Sequence, residues 1–187
     1  VRYYGEWMKQ EAWKKIGHLY PIVKDEQGQG HIVIAWIWAR TVKCPNPACG
    51  CEMPLASSFE LSKKKGKEAY VQPLFEGNNI GYKVVYGKNA PEPPKIARGA
   101  KFKCISCNQI VPDEHIRTES QAGRMGYQLM AIVADGRGGR LFISPNEEHV
   151  RASTLGEPFN PPTEELPYDP RNIWCVNYGL DTYDKLF

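Results

Sequence analysis

The sequence predicts an α+β fold, β-rich, with a β-meander inserted between two cysteine loops and a few short helices on the flanks. Three observations predict it. The run His31–Ala39 is dense in β-branched and aromatic residues; Cys44/Cys49 and Cys104/Cys107 form two tight pairs, each following a short β-like run; and three further β-like runs lie between the pairs.

Taken in chain order, residues 1–43 predict a helix and a buried strand. Tyr3, Trp7, Ala12 or Trp13 and Ile16 recur near one face at helical spacing over 2–17, with Lys and Glu between them. Gly17 stops the helix, and Leu19-Tyr20-Pro21 leads into a polar turn at 25–30. The run 31–39 then reads as a strand buried on both faces.

Residues 44–107 predict the cysteine loops with their inserted meander, its strands at Leu55–Leu61, Glu68–Phe75 and Ile80–Tyr86. Asn89-Ala90-Pro91-Glu92-Pro93-Pro94 is an extended linker, because proline fixes φ and donates nothing to a ladder.

Residues 108–155 predict a helix at Pro112–Ser120 and a hairpin of Tyr127–Ala134 with Arg140–Ile143. Ser144-Pro145-Asn146-Glu147 reads as a capping box with Ser144 as N-cap, opening a helix to about Ser153. Residues 156–187 are expected as an extended, proline-rich C-terminal segment, and all four stretches are expected to form one compact domain.

The chain has 187 residues, 42% of them hydrophobic and 24% charged, and no apolar run nears the roughly 18 residues of a membrane span. A membrane partner is therefore not expected. Its opening, Val-Arg-Tyr-Tyr-Gly-Glu-Trp, lacks the regions of a secretion signal and reads as an excised or processed segment. The net charge of +3 is unevenly spread: Arg40–Lys103 carries 12 Lys/Arg against 5 Asp/Glu, so the cysteine-bearing half is the basic one.

Clustered cysteines without a signal peptide favour a metal over disulfides and point to the cytoplasm. Cys44-Pro45-Asn46-Pro47-Ala48-Cys49-Gly50 and Cys104-Ile105-Ser106-Cys107 have the build of two zinc knuckles, short loops that each close two thiolates on one ion. The predicted ligands of one structural Zn²⁺ are Cys44, Cys49, Cys104 and Cys107. Cys51 and His115 are the alternatives, with Cys49 preferred because Gly50 suits the knuckle turn. Four thiolates leave no open position for catalysis.

A dithiol redox centre at Cys104/Cys107 is disfavoured, since Lys-Phe-Lys before it and Asn-Gln-Ile-Val after it suggest a ribbon hairpin rather than a helix start. Cys175 beside Trp174 reads as a small buried hydrophobe. Asn160-Pro161-Pro162-Thr163 lacks the aromatic ring of a base-flipping methyltransferase motif and reads as a loop. Gly136-Arg137-Gly138-Gly139 precedes a strand, so it is a hairpin turn and not a phosphate loop. No catalytic residue and no site for an organic cofactor stands out. Lys63, Lys64, Lys65 and Lys67 form the densest basic stretch, either a solvated turn or a phosphate contact.

With the cysteines placed, the surroundings resemble a known family. Ala39–Gly50, Met53-Pro54-Leu55, Ser58-Phe59 and Leu61–Gly66 are similar to the segment that names the adenine-specific DNA methylases containing a zinc ribbon. Val1–Met8, Ile16–Pro21, Ala122–Gly126 and Asn177–Leu180 look like family positions as well. The resemblance implies an insert of a larger S-adenosylmethionine-dependent N6-adenine methyltransferase. The Asp-Pro-Phe-x-Gly-type cofactor loop and Asp-Pro-Pro-Tyr-type catalytic motif of that family are absent here. S-adenosylmethionine is then a ligand of the parent protein only, and the expected partners are its methyltransferase core and double-stranded DNA.

Overall fold

In the computed structural model, residues 1–136, 138–154, 156, 159–167, 169 and 173–186 are described. An initial helix, α1 (Arg2–Ile16), runs into a short 3-10 turn and then the hairpin of β1 (Ile22–Lys24) with β2 (Gly30–Lys43). Asp25 organises the turn by accepting hydrogen bonds from the backbone of Gln27 and Gln29, and its other carboxylate oxygen lies 2.9 Å from His31 Nε2.

The main antiparallel sheet has the order β1-β2-β9-β10, with β9 spanning Gly126–Gly136 and β10 Gly139–Ile143. A short strand, β3 (Glu52–Pro54), also pairs with β2, a pairing not legible in the sequence. The inserted meander forms its own three-stranded antiparallel sheet of β4 (Glu60–Ser62), β5 (Ala69–Glu76) and β6 (Asn79–Tyr86). Of the predicted strand 55–61 only its end is strand; the rest is loop, with Phe59 buried beneath it. β7 (Phe102–Lys103) and β8 (Ile110–Val111) make the small hairpin around the second cysteine loop.

Side chains stitch the two larger sheets together. Tyr82 donates from its hydroxyl to Gln128 Oε1 at 2.9 Å, Ser144 Oγ accepts from the Val84 backbone, and Tyr86 bonds both backbone groups of Phe142. The main core contains Val42, Met53, Phe59, Val71, Val111 and Ile116.

The strand buried on both faces is β9 rather than β2. Leu129–Ala134 are all buried: Met130, Ala131 and Val133 belong to the main core, and Leu129, Ile132 and Ala134 to a second cluster with Val23 and Val33. β2 leaves Ile32 and Ile34 about half exposed, because its first half lies where only one face of the antiparallel sheet is covered.

Two further expectations, the face of α1 and the cap of α3 (Glu147–Ser153), are corrected. α1 has no buried residue, so its apolar positions do not form a core-facing stripe; Tyr3 and Trp7 lie open, while Trp13 packs toward Tyr20, which stacks on Trp36. Gly17 does end the helix, but without a left-handed cap. Its φ is −57°, and a Cβ there would fall 2.9 Å from the Trp13 ring, so close approach is what calls for glycine. The N-cap of α3 (Glu147–Ser153) is Asn146, which accepts from His149 N, whereas Ser144 is engaged by Val84.

α2 (Asp113–Gln121) matches its prediction closely. A short helix, α4 (Ile173–Asn177), was not predicted. The proline-rich expectation over 156–171 falls partly on residues 157, 158, 168, 170 and 171, which lie outside the described set, as do Arg137 of the glycine turn and the Trp174 side chain. Among the described residues no helix is long and apolar enough to cross a membrane.

Candidate metal centre

β2 delivers Cys44 directly after Lys43, and the loop that follows is shaped by Asn46. The Asn46 carbonyl accepts from the backbones of Cys49 and Gly50, its side-chain oxygen accepts from Ala48 N, and its amide reaches Cys107 Sγ at 3.8 Å. Gly50 sits at φ +58°, a left-handed conformation that glycine adopts without penalty. The loop is closed by Cys44 N donating to Cys51 O at 2.9 Å.

The second loop repeats the design. Cys104 follows β7, Cys104 N donates to Gln109 O, and Asn108 N returns to Cys104 O, with Asn108 in the left-handed region at φ +60°. Both loops thus leave a β-strand, turn tightly and present two sulfurs each.

The four sulfurs of Cys44, Cys49, Cys104 and Cys107 all lie within 4.8 Å of one another. Cys44 and Cys107 are separated by 3.7 Å and Cys49 and Cys104 by 3.8 Å. A tetrahedron with Zn–S bonds of about 2.3 Å has edges of about 3.8 Å, so this donor set fits a metal such as zinc. Cys44 and Cys104 are buried, Cys49 is half-buried and Cys107 is exposed.

Electrostatics differ among the thiols. Burial pushes Cys44 up to about 12 and raises Cys51 above its ordinary value, whereas the backbone N–H of Cys51 leads the interactions that hold Cys49 down to about 6. A bound cation would override the penalty at Cys44 by favouring its thiolate.

The two alternative ligands occupy different places. His115 bonds the Lys43 carbonyl through Nε2 at 2.9 Å, bracing α2 against the first loop from outside the four-sulfur cluster. Cys51 is fully buried with its sulfur 3.3 Å from that of Cys104, adjacent to the cage yet not one of its four corners.

The basic stretch is brought against a second segment. Lys67 Nζ donates to the carbonyl of Gly138, so the loop 62–67 abuts the β9–β10 turn. Lys63 pairs with Glu60 at 2.8 Å, while Lys64 and Lys65 make no ion pair among the described residues.

No family model, curated protein or solved structure matches this chain. Its reading therefore rests on the residues themselves. Two of those escaped sequence reasoning: Asn46, whose place inside the Pro-Asn-Pro filling was its only signal, and His149, a buried histidine whose neighbours come from a distant strand. Cys175 is half-buried, less enclosed than expected of a core residue.

Proposed function

We propose that this chain is a zinc-binding accessory domain of an N6-adenine-specific DNA methyltransferase of the cytoplasm, a ribbon that carries no reaction chemistry itself and helps position DNA for the parent enzyme. The observation that carries the zinc part is the convergence, within 4.8 Å of one another, of four thiols from loops 55 residues and more apart in sequence. The methyltransferase part rests on the sequence resemblance. The contact with DNA is supported by the uneven charge and by Lys64 and Lys65, whose ammonium groups are available for phosphate.

S-adenosylmethionine and the catalytic motif belong to the parent protein in this reading. Elemental analysis of the purified chain tests the metal: one zinc per chain is expected, and a metal-free folded protein overturns it. Binding of a fluorescent duplex across a salt series tests the DNA contact. Micromolar binding with a negative salt slope is expected.

A second reading is a structural or protein-interaction domain clamped by zinc. It is favoured by α1, which presents Tyr3, Tyr4, Trp7 and Met8 to solvent, and by the internal engagement of Lys63 and Lys67. Absence of duplex binding together with stable docking on the methyltransferase core would select it.

A further inference from the structure

The metal cluster holds five thiols for four positions. Cys51 approaches Cys104 to 3.3 Å, closer than either cage edge of 3.7 or 3.8 Å, so its sulfur lies against the cage wall. Both Cys51 and the half-buried corner Cys49 contact the same sulfur, that of Cys104, at 3.3 and 3.8 Å. Cys49 and Cys51 flank Gly50, a left-handed glycine whose Cβ position would meet, among the described residues, the Lys43 side chain at 3.8 Å. The carbonyl of Cys51 accepts from Cys44 N, which ties the residue bearing this fifth sulfur to a corner of the cluster.

We propose that Cys51 is a reserve metal ligand that takes the corner of Cys49 when that thiolate is lost, so that the chain has two interchangeable four-sulfur ligand sets sharing Cys44, Cys104 and Cys107. The inference rests on the zinc reading above. Cys49 and Cys107 are the corners that solvent and electrophiles reach; Cys51 is enclosed. Alkylation or oxidation at Cys49 would then leave the ion held by four sulfurs. The swap is an exchange in which the Cys51 thiol gives its proton to the departing Cys49 thiolate or to water, the S–metal bond to Cys49 breaks, and the bond to Cys51 forms.

The test compares wild type, Cys49→Ser, Cys49→Ser with Cys51→Ser, and Cys104→Ser, each titrated with Zn²⁺ against a chromophoric chelator and with Co²⁺, whose sulfur-to-metal absorption reports the number of thiolates. The expected result is that Cys49→Ser keeps one ion per chain and the four-sulfur cobalt spectrum, with affinity lowered by about 10- to 100-fold. The double variant and Cys104→Ser lose that spectrum. A three-sulfur spectrum for Cys49→Ser, a spectrum showing a nitrogen ligand such as His115, or failure of that variant to bind as complete as that of Cys104→Ser overturns the proposal. A wild type that binds no metal overturns the zinc reading instead, so the two failures are distinguishable.

Discussion

The indole N–H of Trp36 donates to Nδ1 of His149 at 3.3 Å, and this contact fixes which imidazole nitrogen carries the proton. With Nδ1 accepting, the neutral ring is protonated at Nε2, a buried atom without a hydrogen-bond partner among the described residues. Burial therefore holds the His149 pKa below its usual 6.5, against a weaker opposing pull from Glu148.

The sign of the pH dependence follows. Below about pH 6.5 the unfolded chain binds a proton at this histidine that the folded chain resists, so stability is full above that value and falls as pH descends. Urea midpoints at pH 7.5 and pH 5.5 check this. His149→Gln, which can still accept from Trp36 yet does not titrate, is expected to flatten the difference.

Removing a metal corner should act on folding rather than on one loop. Cys104 is fully buried and belongs to both the core and the four-sulfur cluster, so Cys104→Ser would release a bound ion and also place a hydroxyl among apolar neighbours. A loss on the order of several kcal/mol is expected, seen as a lower melting temperature matched by wild type treated with a zinc chelator. Equal melting curves with and without chelator would argue that no ion supports the fold.

Tyr82→Phe probes the seam between the meander and the main sheet. It leaves the Gln128 carbonyl oxygen without its phenolic donor in a partly buried position. A loss of about 1–2 kcal/mol in urea denaturation is expected. Because the seam is also held through Ser144 and Tyr86, the transition should stay cooperative.

Gly17→Ala sets helix propensity against close packing. Propensity alone would favour alanine by about 1 kcal/mol at a helical position. The new methyl group would meet the Trp13 ring at 2.9 Å, so net destabilisation is expected, with altered tryptophan fluorescence as Trp13 shifts away from Tyr20. A gain in stability would mean that the ring yields freely.

Among the four lysines, Lys64→Ser with Lys65→Ser should weaken any duplex binding and reduce the salt slope by up to about 0.9 for each phosphate no longer neutralised. Lys63→Ser should do less, since that ammonium already faces Glu60. A slope unchanged by the Lys64/Lys65 pair removes this loop from the DNA-contact reading.

The parts of this fold that were legible in the sequence are those set by local chemistry. Paired cysteines at knuckle spacing, with Gly50 after the second, indicated the four corners of the cage, and alternating runs bounded by turn residues indicated β5, β6, β9 and β10. What was not legible depends on which neighbour covers a face. The apolar run of β2 looks equally buried along its length, yet its cover ends near Val33, and nothing local distinguishes it from β9. The cap of α3 failed for a similar reason: Ser144 and Asn146 both suit the role, and the distant Val84 amide claims the first.

The two sulfur-bearing loops also close a ring of chain, since the 55-residue separation of Cys49 and Cys104 encloses the whole meander. With the ion in place this is a cross-link, which by the relation used for disulfides lowers the entropy of the unfolded chain by the equivalent of about 4 kcal/mol. A protease that nicks the exposed lysine turn would therefore produce two peptides that still migrate as one particle, and that separate only once the metal is withdrawn under denaturing conditions.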